Sequence, residues 1–415
     1  MVDLLVRPSK LKGDLFIPPS KSHTLRALFF ALMAKGKSEI RGYLPSPDTF
    51  AMLEAIGLLG ARVERKQDVL FIEGVSGNPK APTGIINCGN SGQILRFIGA
   101  LAGFIPGCTT LTGDASIEHS RPVKPLVDAL NQLGAFAKTS PLEIQGPITR
   151  TKASLDGSDS QPVSGLLMAG AFGPHPIELL VENPKETPWI DLTLSWLKKF
   201  NIPYEMDRYQ RYVIFGQTQI DAFSYTVPGD FSTASYPFAA AVLSGSEIAL
   251  HNLDMSDSQG DKALFFALAH FRVAQQKIYV QKGAPLQGGK IDVDPFIDAL
   301  PLLAVIGCFC QEPLELVNGA IARKKESDRI SSIAAELRKM GAQIFEKSDG
   351  LIVYPSKLKG CELNTHRDHR IALSLLVAGL NSEGTTLIRN AECIAKTYPD
   401  FKTAFSSIGA DIQCI

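Results

Sequence analysis

The sequence predicts a mixed α/β (α+β) fold built from six copies of one βαβαββ-like unit, arranged as two domains of three units each. Three observations lead to this prediction: a helix-end pattern that occurs six times, a strand-end pattern that also occurs six times, and apolar alternating runs between them. Self-similarity at a fixed period is the sequence signature of a repeated structural unit. Here two independent patterns keep one period of about 70 residues.

The helix-end pattern is an apolar segment followed by a residue suited to a left-handed backbone. It occurs as IGLLGARV, LNQLGAFA, LKKFNIPY, LAHFRVAQ, LRKMGAQI and FSSIGADI. The residue after the first four letters is Gly60, Gly134, Asn201, Arg272, Gly341 and Gly409, at steps of 74, 67, 71, 69 and 68 residues. Gly and Asn favour the left-handed position that ends a helix, so every copy except that at Arg272 predicts a helix C-terminus.

The strand-end pattern is a short strand that closes on Gly or Asn. The segments EIRG, TLTG, LVEN, ALHN, LVNG and LIRN end at Gly42, Gly113, Asn183, Asn252, Gly319 and Asn390, 67 to 71 residues apart. Apolar alternating runs from Val69 (VLFIEG), Tyr212 (YVIFG), Ile278 (IYVQKG) and Leu351 (LIVYP) predict further strands. Each unit is therefore predicted to run loop, helix, strand, loop, helix, strand, strand.

A chain of 415 residues is long for one hydrophobic core, which favours two domains. The segment YTVPGD carries Pro and Gly near the middle of the chain and is predicted to be a crossover between them. The strand-like opening segment precedes the first complete unit, so we expect it to pair with the C-terminal domain. The predicted N-terminal domain spans 18–226, the C-terminal domain comprises 1–17 and 227–415, and hinges are expected near 18–20 and 225–230.

Charge and cysteine content argue against several classes of partner. Lys plus Arg equals Asp plus Glu at 42 each, so no global field attracts nucleic acid or an anionic membrane. The longest apolar run, Ala299–Cys310, is too short to span a bilayer, and the first residues lack the apolar stretch of a signal peptide. The seven cysteines form no CxxC pair, which indicates neither a zinc site nor a disulfide framework. We expect a cytoplasmic protein, with a monomer as the simplest state.

The segment PPSKSHTLRALFFALMAKGK predicts an amphipathic helix that begins with two cations. Its apolar residues recur at helical spacing, at Leu25, Leu28, Phe29, Leu32 and Met33. Lys21 and Arg26 lie at its start, where a cation opposes the helix dipole by about 0.3–1 kcal/mol. Two alternatives explain these cations equally well. One is a solvated basic first turn, and the other is an anion site formed by backbone N–H groups with Lys21, Ser22 and Arg26.

Cations recur at corresponding positions of the other units. They are Arg96 after CGNSG, Arg121 in EHSRPVKP, Lys325 and Arg329 in RKKESDRISS, Arg370 in HRDHRIA and Lys396 in AKTYPD. Taken alone, Lys325 and Arg329 are explained by ion pairs with Glu326 and Asp328. Taken as a set, cations at helix N-termini are costly to bring together unless a multiply charged anion binds them. Small phosphorylated or carboxylated molecules are therefore the predicted ligands.

Six motifs together resemble the 5-enolpyruvylshikimate-3-phosphate (EPSP) synthases, a family of enolpyruvyl transferases. The motifs are PPSKSHTLRA, CGNSGQILR, LTGDASIEHSRPVKPLVDAL, KKESDRI, DHRIALSLLVAG and AKTYPDF, and they cover nearly the whole chain in order. The resemblance implies an αβ prism of six βαβαββ units around an interdomain cleft that closes on the substrates. It also implies transfer of the enolpyruvyl group of phosphoenolpyruvate to the 5-hydroxyl of shikimate 3-phosphate, a step of the shikimate pathway to chorismate, without metal or organic cofactor.

Residue roles follow from the resemblance alone. Lys21, Asp298 and Glu326 would be catalytic, with the two carboxylates as the proton-transfer pair. Shikimate 3-phosphate would contact Lys21, Ser22, Arg26, Ser158, Ser160, Gln161, Asp298 and Lys325. Phosphoenolpyruvate would contact Lys21, Gly92, Arg121, Gln161, Arg329, Arg370 and Lys396, with Asn90, Arg96 and His369 in support.

Some positions depart from the pattern of that family. Gln93 stands where a small hydroxyl residue is usual, and Asp159 stands where one of two adjacent small residues precedes Gln161. Glu186 and Trp189 stand where some members have a phosphate-binding Ser and a ring-stacking Tyr. A carboxylate at position 186 would repel a phosphate. These departures concern substrate contacts and leave the residues assigned to chemistry in place.

Three alternatives stay open from the sequence. The UDP-N-acetylglucosamine 1-carboxyvinyltransferases share the fold and the donor, but they carry a loop cysteine where this chain has Ser116. The RNA 3′-terminal phosphate cyclases share the repeat unit, but they predict a basic surface that the zero net charge argues against. A non-catalytic anion-binding relative would bind both substrates without turnover, and departures such as Glu186 fit that alternative.

Overall fold

A computed structural model describes residues 2–274 and 277–415 of the chain. It divides into two compact units, a terminal unit (Met1–Pro19 with Pro228–Ile415) and a central unit (Ser20–Val227). Within the described residues the strands form six four-stranded sheets, three in each unit. The predicted mixed α/β fold with six repeats is therefore confirmed.

The strands are short and are spread evenly along the chain. They are β1 (Leu4–Arg7), β2 (Lys12–Phe16), β3 (Lys37–Arg41), β4 (Arg62–Lys66), β5 (Val69–Glu73), β6 (Ile86–Asn87), β7 (Gly107–Thr112), β8 (Phe136–Thr139), β9 (Leu142–Gly146), β10 (Lys152–Asp156), β11 (Ile177–Glu182), β12 (Tyr204–Asp207), β13 (Arg211–Ile214), β14 (Ser224–Thr226), β15 (Glu247–His251), β16 (Phe271–Ala274), β17 (Lys277–Val280), β18 (Gly289–Asp292), β19 (Leu314–Val317), β20 (Ile344–Lys347), β21 (Gly350–Val353), β22 (Glu362–Asn364), β23 (Thr386–Arg389) and β24 (Asp411–Cys414).

The helices alternate with these strands. They are α1 (Lys21–Met33), α2 (Pro47–Leu58), α3 (Gly92–Ala102), α4 (Ala115–His119), α5 (Lys124–Gln132), α6 (Ser160–Gly170), α7 (Thr187–Lys199), α8 (Phe231–Ser244), α9 (Ala263–Leu268), α10 (Leu300–Gly307), α11 (Arg329–Lys339), α12 (His369–Leu380) and α13 (Phe401–Ser407). Short 3₁₀ segments cover Gly260–Lys262, Asp294–Ala299, Ala320–Lys324 and Ala391–Lys396. In the described part of the chain, no helix combines the length and the apolar character that crossing a membrane requires.

One sheet topology recurs in both units. In the central unit the strand orders are β14-β3-β5-β4, β6-β7-β9-β8 and β10-β11-β13-β12, each with one parallel pair and two antiparallel pairs. In the terminal unit they are β2-β15-β17-β16, β18-β19-β21-β20 and β22-β23-β1-β24. Strand β1 thus pairs with two strands from the far end of the chain, as in the register Leu5↔Gln413, and β2 pairs with β15 in the middle of the chain.

The first helix of each repeat lies inside its unit. Helices α1, α3 and α6 are buried along nearly their whole length in the central unit, as are α10 and α12 and most of α8 in the terminal unit. The buried apolar side chains form one cluster in each unit. A polar residue in the first turn of such a helix therefore lies at the end of a hydrophobic core, where it exposes little surface.

The repeat markers adopt the predicted backbone in five of the six copies. Gly60, Gly134, Asn201, Gly341 and Gly409 all have positive φ, from 52° at Asn201 to 111° at Gly60. In the fourth copy the marker residue Arg272 instead lies within β16. Helix α9 ends earlier there, and Ala269 takes the left-handed conformation with φ 52°. At the exception that the sequence indicated, the helix thus ends four residues before the marker, and the left-handed residue lies three positions before it.

Candidate active site

Helix α1 begins at Lys21, as the sequence predicted, and Ser20 is its N-cap. The side chain of Ser20 accepts a hydrogen bond from the backbone N–H of His23 at 3.4 Å. The ammonium of Lys21 lies 3.5 Å from the carboxylate of Asp48, which is 3% exposed. The same carboxylate accepts a hydrogen bond from the hydroxyl of Ser91, the N-cap of α3, at 3.0 Å. Asp48 therefore connects the N-termini of α1 and α3.

Arg26 is a buried cation surrounded by neutral partners. Its guanidinium donates to the hydroxyl of Thr193 at 2.8 Å and to the carbonyls of Ser22 and Trp189 at 3.2 and 3.3 Å. It lies 5.1 Å from the centre of the Phe97 ring. Among the described residues no carboxylate pairs with it, and burial lowers the pKa of Arg26 to about 9. Its charge is thus compensated only by dipoles, and a buried guanidinium in such surroundings favours the binding of an anion.

Gly92 is the point at which several predicted ligand residues of the central unit meet. A Cβ atom at this position would lie 2.5 Å from Nη1 of Arg96, 3.2 Å from Oε1 of Gln161 and 3.3 Å from Nη1 of Arg121. Arg96 also pairs with the carboxylate of Asp159 at 3.2 Å. The absence of a side chain at Gly92 is therefore what leaves the start of α3 open between two guanidinium groups.

The resemblance implies that Gly92 contacts phosphoenolpyruvate, so its substitution by alanine is expected to raise the KM for that ligand roughly 10- to 100-fold, because the added Cβ displaces Nη1 of Arg96 and crowds Nη1 of Arg121. The matched control is Gly57→Ala in α2, where an added Cβ meets no atom within 4 Å. That change is expected to leave activity intact and to stabilise the helix by about 0.5–1 kcal/mol. Equal KM values for the two variants, measured by phosphate release, would contradict the predicted role of Gly92.

The remaining predicted residues of the central unit are held by local acids. Asn90 donates from its amide to Asp114 and, at 3.1 Å, to the hydroxyl of Ser116. The hydroxyl of Ser158 donates to the carboxylate of Asp156, two residues earlier, at 2.6 Å. Asn90 therefore fixes the start of α4, which leads to Arg121, and Ser158 is turned back toward the end of β10.

Two of the departures noted in the sequence occupy predicted substrate contacts. The amide of Gln93 donates to the hydroxyl of Ser22 at 3.2 Å. The carboxylate of Glu186 is 1% exposed and accepts from both the N–H and the hydroxyl of Ser160, at 3.0 and 2.9 Å. Glu186 therefore occupies the N-terminus of α6 beside Ser160, a predicted contact of shikimate 3-phosphate.

In the terminal unit, Asp298 lies between two arginines. Its Oδ1 accepts from Nη1 of Arg329 at 2.7 Å, and its Oδ2 accepts from Nη2 of Arg370 at 2.9 Å. Burial alone would raise the pKa of the Asp298 carboxyl, but Arg370, Arg329 and Lys325 hold the pKa well below its usual range. Asp298 is therefore an ionised carboxylate whose two oxygens are both engaged.

Arg329 is the centre of the ion-pair network in this unit. It is 1% exposed and contacts three carboxylates, with Nη1 on Asp298 at 2.7 Å, Nη2 on Glu326 at 2.7 Å and Nε on Asp368 at 2.8 Å. Glu326 also accepts from the ammonium of Lys396 at 2.8 Å. The two predicted proton-transfer carboxylates therefore share one guanidinium.

Lys325 differs from the sequence prediction in its local structure. The sequence placed both Lys325 and Arg329 at a helix N-terminus, but α11 begins at Arg329 and Lys325 follows the 3₁₀ segment Ala320–Lys324. Asp328 caps the helix instead, by accepting from the N–H of Ser331 at 3.0 Å. Lys325 is 7% exposed, and its charge acts on the Asp298 carboxylate. The bend before α11 is what separates the two cations.

Arg370 and His369 form the first turn of α12 and are both almost completely buried. Within the described residues, Nε and Nη1 of Arg370 have no hydrogen-bond acceptor. Nδ1 of His369 lies 3.7 Å from the carboxylate of Asp368. Glu326, Asp368 and His369 bring their ligand atoms within 4.8 Å of one another, the spacing of a metal site. Both carboxylates already pair with Arg329, however, so local positive charge opposes a metal ion there.

The sequence reasoning missed the acids that fix the predicted cations. Asp48, Asp159 and Asp368 each contact a predicted ligand residue, and Asp159 and Asp368 are also helix N-caps. An Asp directly before an apolar helix is a recognisable cap signal, which could have identified Asp159 and Asp368. Their pairing with arginines on other helices carries no local signal.

Comparison with known proteins agrees with these motifs. A family model described as EPSP synthase (3-phosphoshikimate 1-carboxyvinyltransferase) matches residues 5–405. The chain belongs to the EPSP synthase family. A relative from Acetivibrio thermocellus, named 3-phosphoshikimate 1-carboxyvinyltransferase, is 43% identical over 420 residues, which covers 99% of each chain. A relative of the same name from Chlamydia felis is 42% identical over 425 residues, covering 100% of this chain and 95% of the relative. The resemblance stated from the motifs is confirmed.

Solved structures of the EPSP synthase family share the fold. An EPSP synthase from Acinetobacter baumannii superposes with a TM-score of 0.82 at 25% identity and covers 100% of both chains. The enolpyruvyl transferase NikO from Streptomyces tendae gives a TM-score of 0.79 at 18% identity, covering 100% of this chain and 99% of NikO. At that identity the likeness to NikO shows the fold alone.

Proposed function

We propose that this enzyme transfers the enolpyruvyl group of phosphoenolpyruvate to the 5-hydroxyl of shikimate 3-phosphate. The products are 5-enolpyruvylshikimate 3-phosphate and inorganic phosphate, in a step of the shikimate pathway. The observation that carries this function is the family match across residues 5–405. Relatives of 42–43% identity that carry the corresponding name support the same reaction.

The central unit supplies the first part of the proposed site. Shikimate 3-phosphate contacts Lys21, Ser22, Arg26, Ser158, Ser160 and Gln161 there, and phosphoenolpyruvate contacts Lys21, Gly92, Arg121 and Gln161. The uncompensated charge of Arg26 supports an anionic ligand at this position. The close approach of Arg96, Arg121 and Gln161 to Gly92 supports a second anionic group at the start of α3.

The terminal unit supplies the second part. Arg329, Arg370 and Lys396 bind phosphoenolpyruvate, whereas Asp298 and Lys325 contact the hydroxyls of shikimate 3-phosphate. The N–H groups of Arg370 that lack an acceptor in the described chain support this assignment, because a buried guanidinium is costly until its donors are used. An arriving carboxylate or phosphate provides that acceptor.

The proposed chemistry is an addition followed by an elimination. The 5-hydroxyl attacks C2 of phosphoenolpyruvate and loses its proton to a base, while C3 gains a proton from an acid. The tetrahedral intermediate then loses a proton from C3 and expels phosphate. Asp298, which is ionised between two arginines, and Glu326, which pairs with Arg329 and Lys396, are the proposed proton-transfer pair, as the family resemblance implies.

Lys21→Met tests both the reaction and the first helix. We expect wild-type protein to release phosphate from phosphoenolpyruvate only when shikimate 3-phosphate is present, and we expect Lys21→Met to abolish that release. Lys152→Met serves as the control, because Lys152 is an exposed partner of Glu178 in the central unit, and it should keep full activity. Release driven only by UDP-N-acetylglucosamine would instead favour that acceptor. Binding of both substrates without release would favour a non-catalytic relative.

The cellular location and the domain bounds are also proposals. Cytoplasmic location is supported by the seven cysteines, all of which are free thiols as in proteins of a reducing compartment. The proposed hinges near 18–20 and 225–230 fall where the chain passes between the two compact units.

A further inference from the structure

Asp261 is a buried acid that lies beside the proposed catalytic machinery of the terminal unit. It belongs to the 3₁₀ segment Gly260–Lys262, and its side chain is 1% exposed. The preceding residue Gln259 fixes this segment, since its amide accepts from the N–H of Phe231 and donates to the carbonyl of Gly229, both at 2.9 Å. Asp261 is thereby held against the first turn of α8.

The surroundings of the Asp261 carboxyl contain a hydroxyl and a second acid. The hydroxyl of Ser232 donates to Oδ2 of Asp261, and Oδ1 has no hydrogen-bond partner within the described chain. A gap too narrow for a water molecule separates Asp261 from Asp298 and Arg370, and its other walls include Ser235, Tyr236, Ala299 and Leu302. Bulk solvent therefore has almost no access to the Asp261 side chain.

The charged and titratable groups that face Asp261 come from four elements. They are Asp230 and Tyr236 at α8, Asp298 in the 3₁₀ segment Asp294–Ala299, Arg329 on α11 and Arg370 on α12. Burial raises the pKa of Asp261 well above its usual range, Asp298 and Asp230 raise it further, and Arg370 and Arg329 offset only part of this. Both arginines already pair with Asp298, and Asp261 forms no ion pair with any described residue.

We propose that Asp261 is a positioning residue for the Asp298–Arg370 pair and that it performs this role as a neutral carboxylic acid. A neutral group lines the space beside the pair without competing for the guanidinium. Asp298 then remains the carboxylate partner of Arg370, and the remaining N–H groups of Arg370 stay available for phosphoenolpyruvate. Ionisation of Asp261 would place a second carboxylate beside Arg370 and weaken this arrangement. This inference rests on the proposed function.

Two substitutions separate the neutral acid from the charged one. Asp261→Ala removes the support, and we expect it to lower kcat/KM for phosphoenolpyruvate about 10-fold at pH 7. Asp261→Asn keeps the shape and neutrality of a protonated carboxyl, so it should restore most of that loss. The control is Asp254→Asn, the same change at an exposed acid of the preceding loop, which should behave as wild type. An asparagine variant as impaired as the alanine variant, or an alanine variant equal to wild type, would overturn the proposal.

The pH dependence provides a readout that a purely structural role would not move. In the wild type, the KM for phosphoenolpyruvate should rise with increasing pH as Asp261 ionises, and this rise should be smaller in Asp261→Asn. The free energy of unfolding should also differ increasingly between wild type and Asp261→Asn as the pH rises. A carboxyl whose pKa is raised by folding costs stability as the pH rises above its unfolded value of 3.8, so the asparagine variant should gain relative to wild type with rising pH. Parallel pH profiles of the two proteins in both measurements would refute the neutral state.

The neutral state can also be tested without turnover or substitution. Carbon-13 NMR of the aspartate carboxyl groups in the wild-type protein should show one buried carboxyl that stays protonated at pH 7. If every aspartate were ionised at that pH, the proposal would fail even if the enzyme were active. A protonated carboxyl in a protein that releases no phosphate would instead count against the proposed function alone.

Discussion

Replacement of Arg329 by methionine is expected to abolish phosphate release and to lower the free energy of unfolding by about 3–5 kcal/mol. Arg329 neutralises Asp298, Glu326 and Asp368, and its side chain is 1% exposed. Without it, Asp298 keeps Arg370 and Glu326 keeps Lys396, but the fully buried Asp368 loses its arginine, and a buried charge without its partner is strongly destabilising. Urea unfolding measures the change in stability, and a phosphate assay measures the activity.

A control for this prediction lies on the same helix. Arg338 is exposed and donates to the carbonyl of Ile344 at 3.0 Å, so Arg338→Met should change the free energy of unfolding by about 0.5 kcal/mol or less. If Arg329→Met were as stable as Arg338→Met, the network around Arg329 would contribute nothing to folding. The role assigned to the buried ion pairs would then be wrong.

Acid should remove the difference between wild type and Arg329→Met. Folding lowers the pKa of Asp298, so the stability that its ion pairs supply is present above the unfolded value of 3.8 and is lost as the pH falls through the folded-state value. The gap between the two proteins should therefore narrow below pH 3.8. A gap that stayed constant in acid would indicate that packing, and not charge, stabilises this region.

The repeat period made most of the fold accessible from the sequence. Two markers with one spacing predicted the six repeated units, because each marker reflects a local backbone requirement, such as the positive φ of 96° at Gly341. The prediction of helix ends was weakest where a residue other than Gly or Asn takes the left-handed position. In the fourth repeat Ala269 takes the left-handed position, and no glycine pattern signals it.

The candidate site was only half accessible from the sequence. Helix starts and their cations follow from local patterns, so Lys21 at α1 and Arg370 at α12 lie at the ends of buried helices as those patterns indicate. Which cations are neutralised depends on acids brought in from elsewhere in the chain. Asp298 is 72 residues from Arg370 in sequence yet accepts its hydrogen bond. No local signal distinguishes Arg329, which has three acidic partners, from Arg26, which is surrounded by neutral groups.

Arg26→Met is therefore expected to have the opposite effect on stability from Arg329→Met, although both changes remove a buried arginine. The charge of Arg26 is paired with no described carboxylate, and its Thr193 and Trp189 acceptors are hydrogen-bonded to each other as well. Exchange of a poorly compensated charge for an apolar side chain of similar volume is often neutral or stabilising, by up to about 1–4 kcal/mol. Urea unfolding should show Arg26→Met to be at least as stable as wild type.

The affinity of Arg26→Met for shikimate 3-phosphate should fall, because this ligand supplies the anion that pairs with Arg26. Loss of two charge-assisted hydrogen bonds should raise the KM for shikimate 3-phosphate by roughly 10- to 100-fold or more. Saturating shikimate 3-phosphate should stabilise wild type by about 2.7 kcal/mol at 100 times its Kd, and Arg26→Met should show little of this gain. Arg26→Lys keeps the charge without the planar fork and should fall between the two. A large loss of stability in Arg26→Met, with ligand stabilisation unchanged, would mean that the folded protein itself compensates this charge and that the anion binds elsewhere.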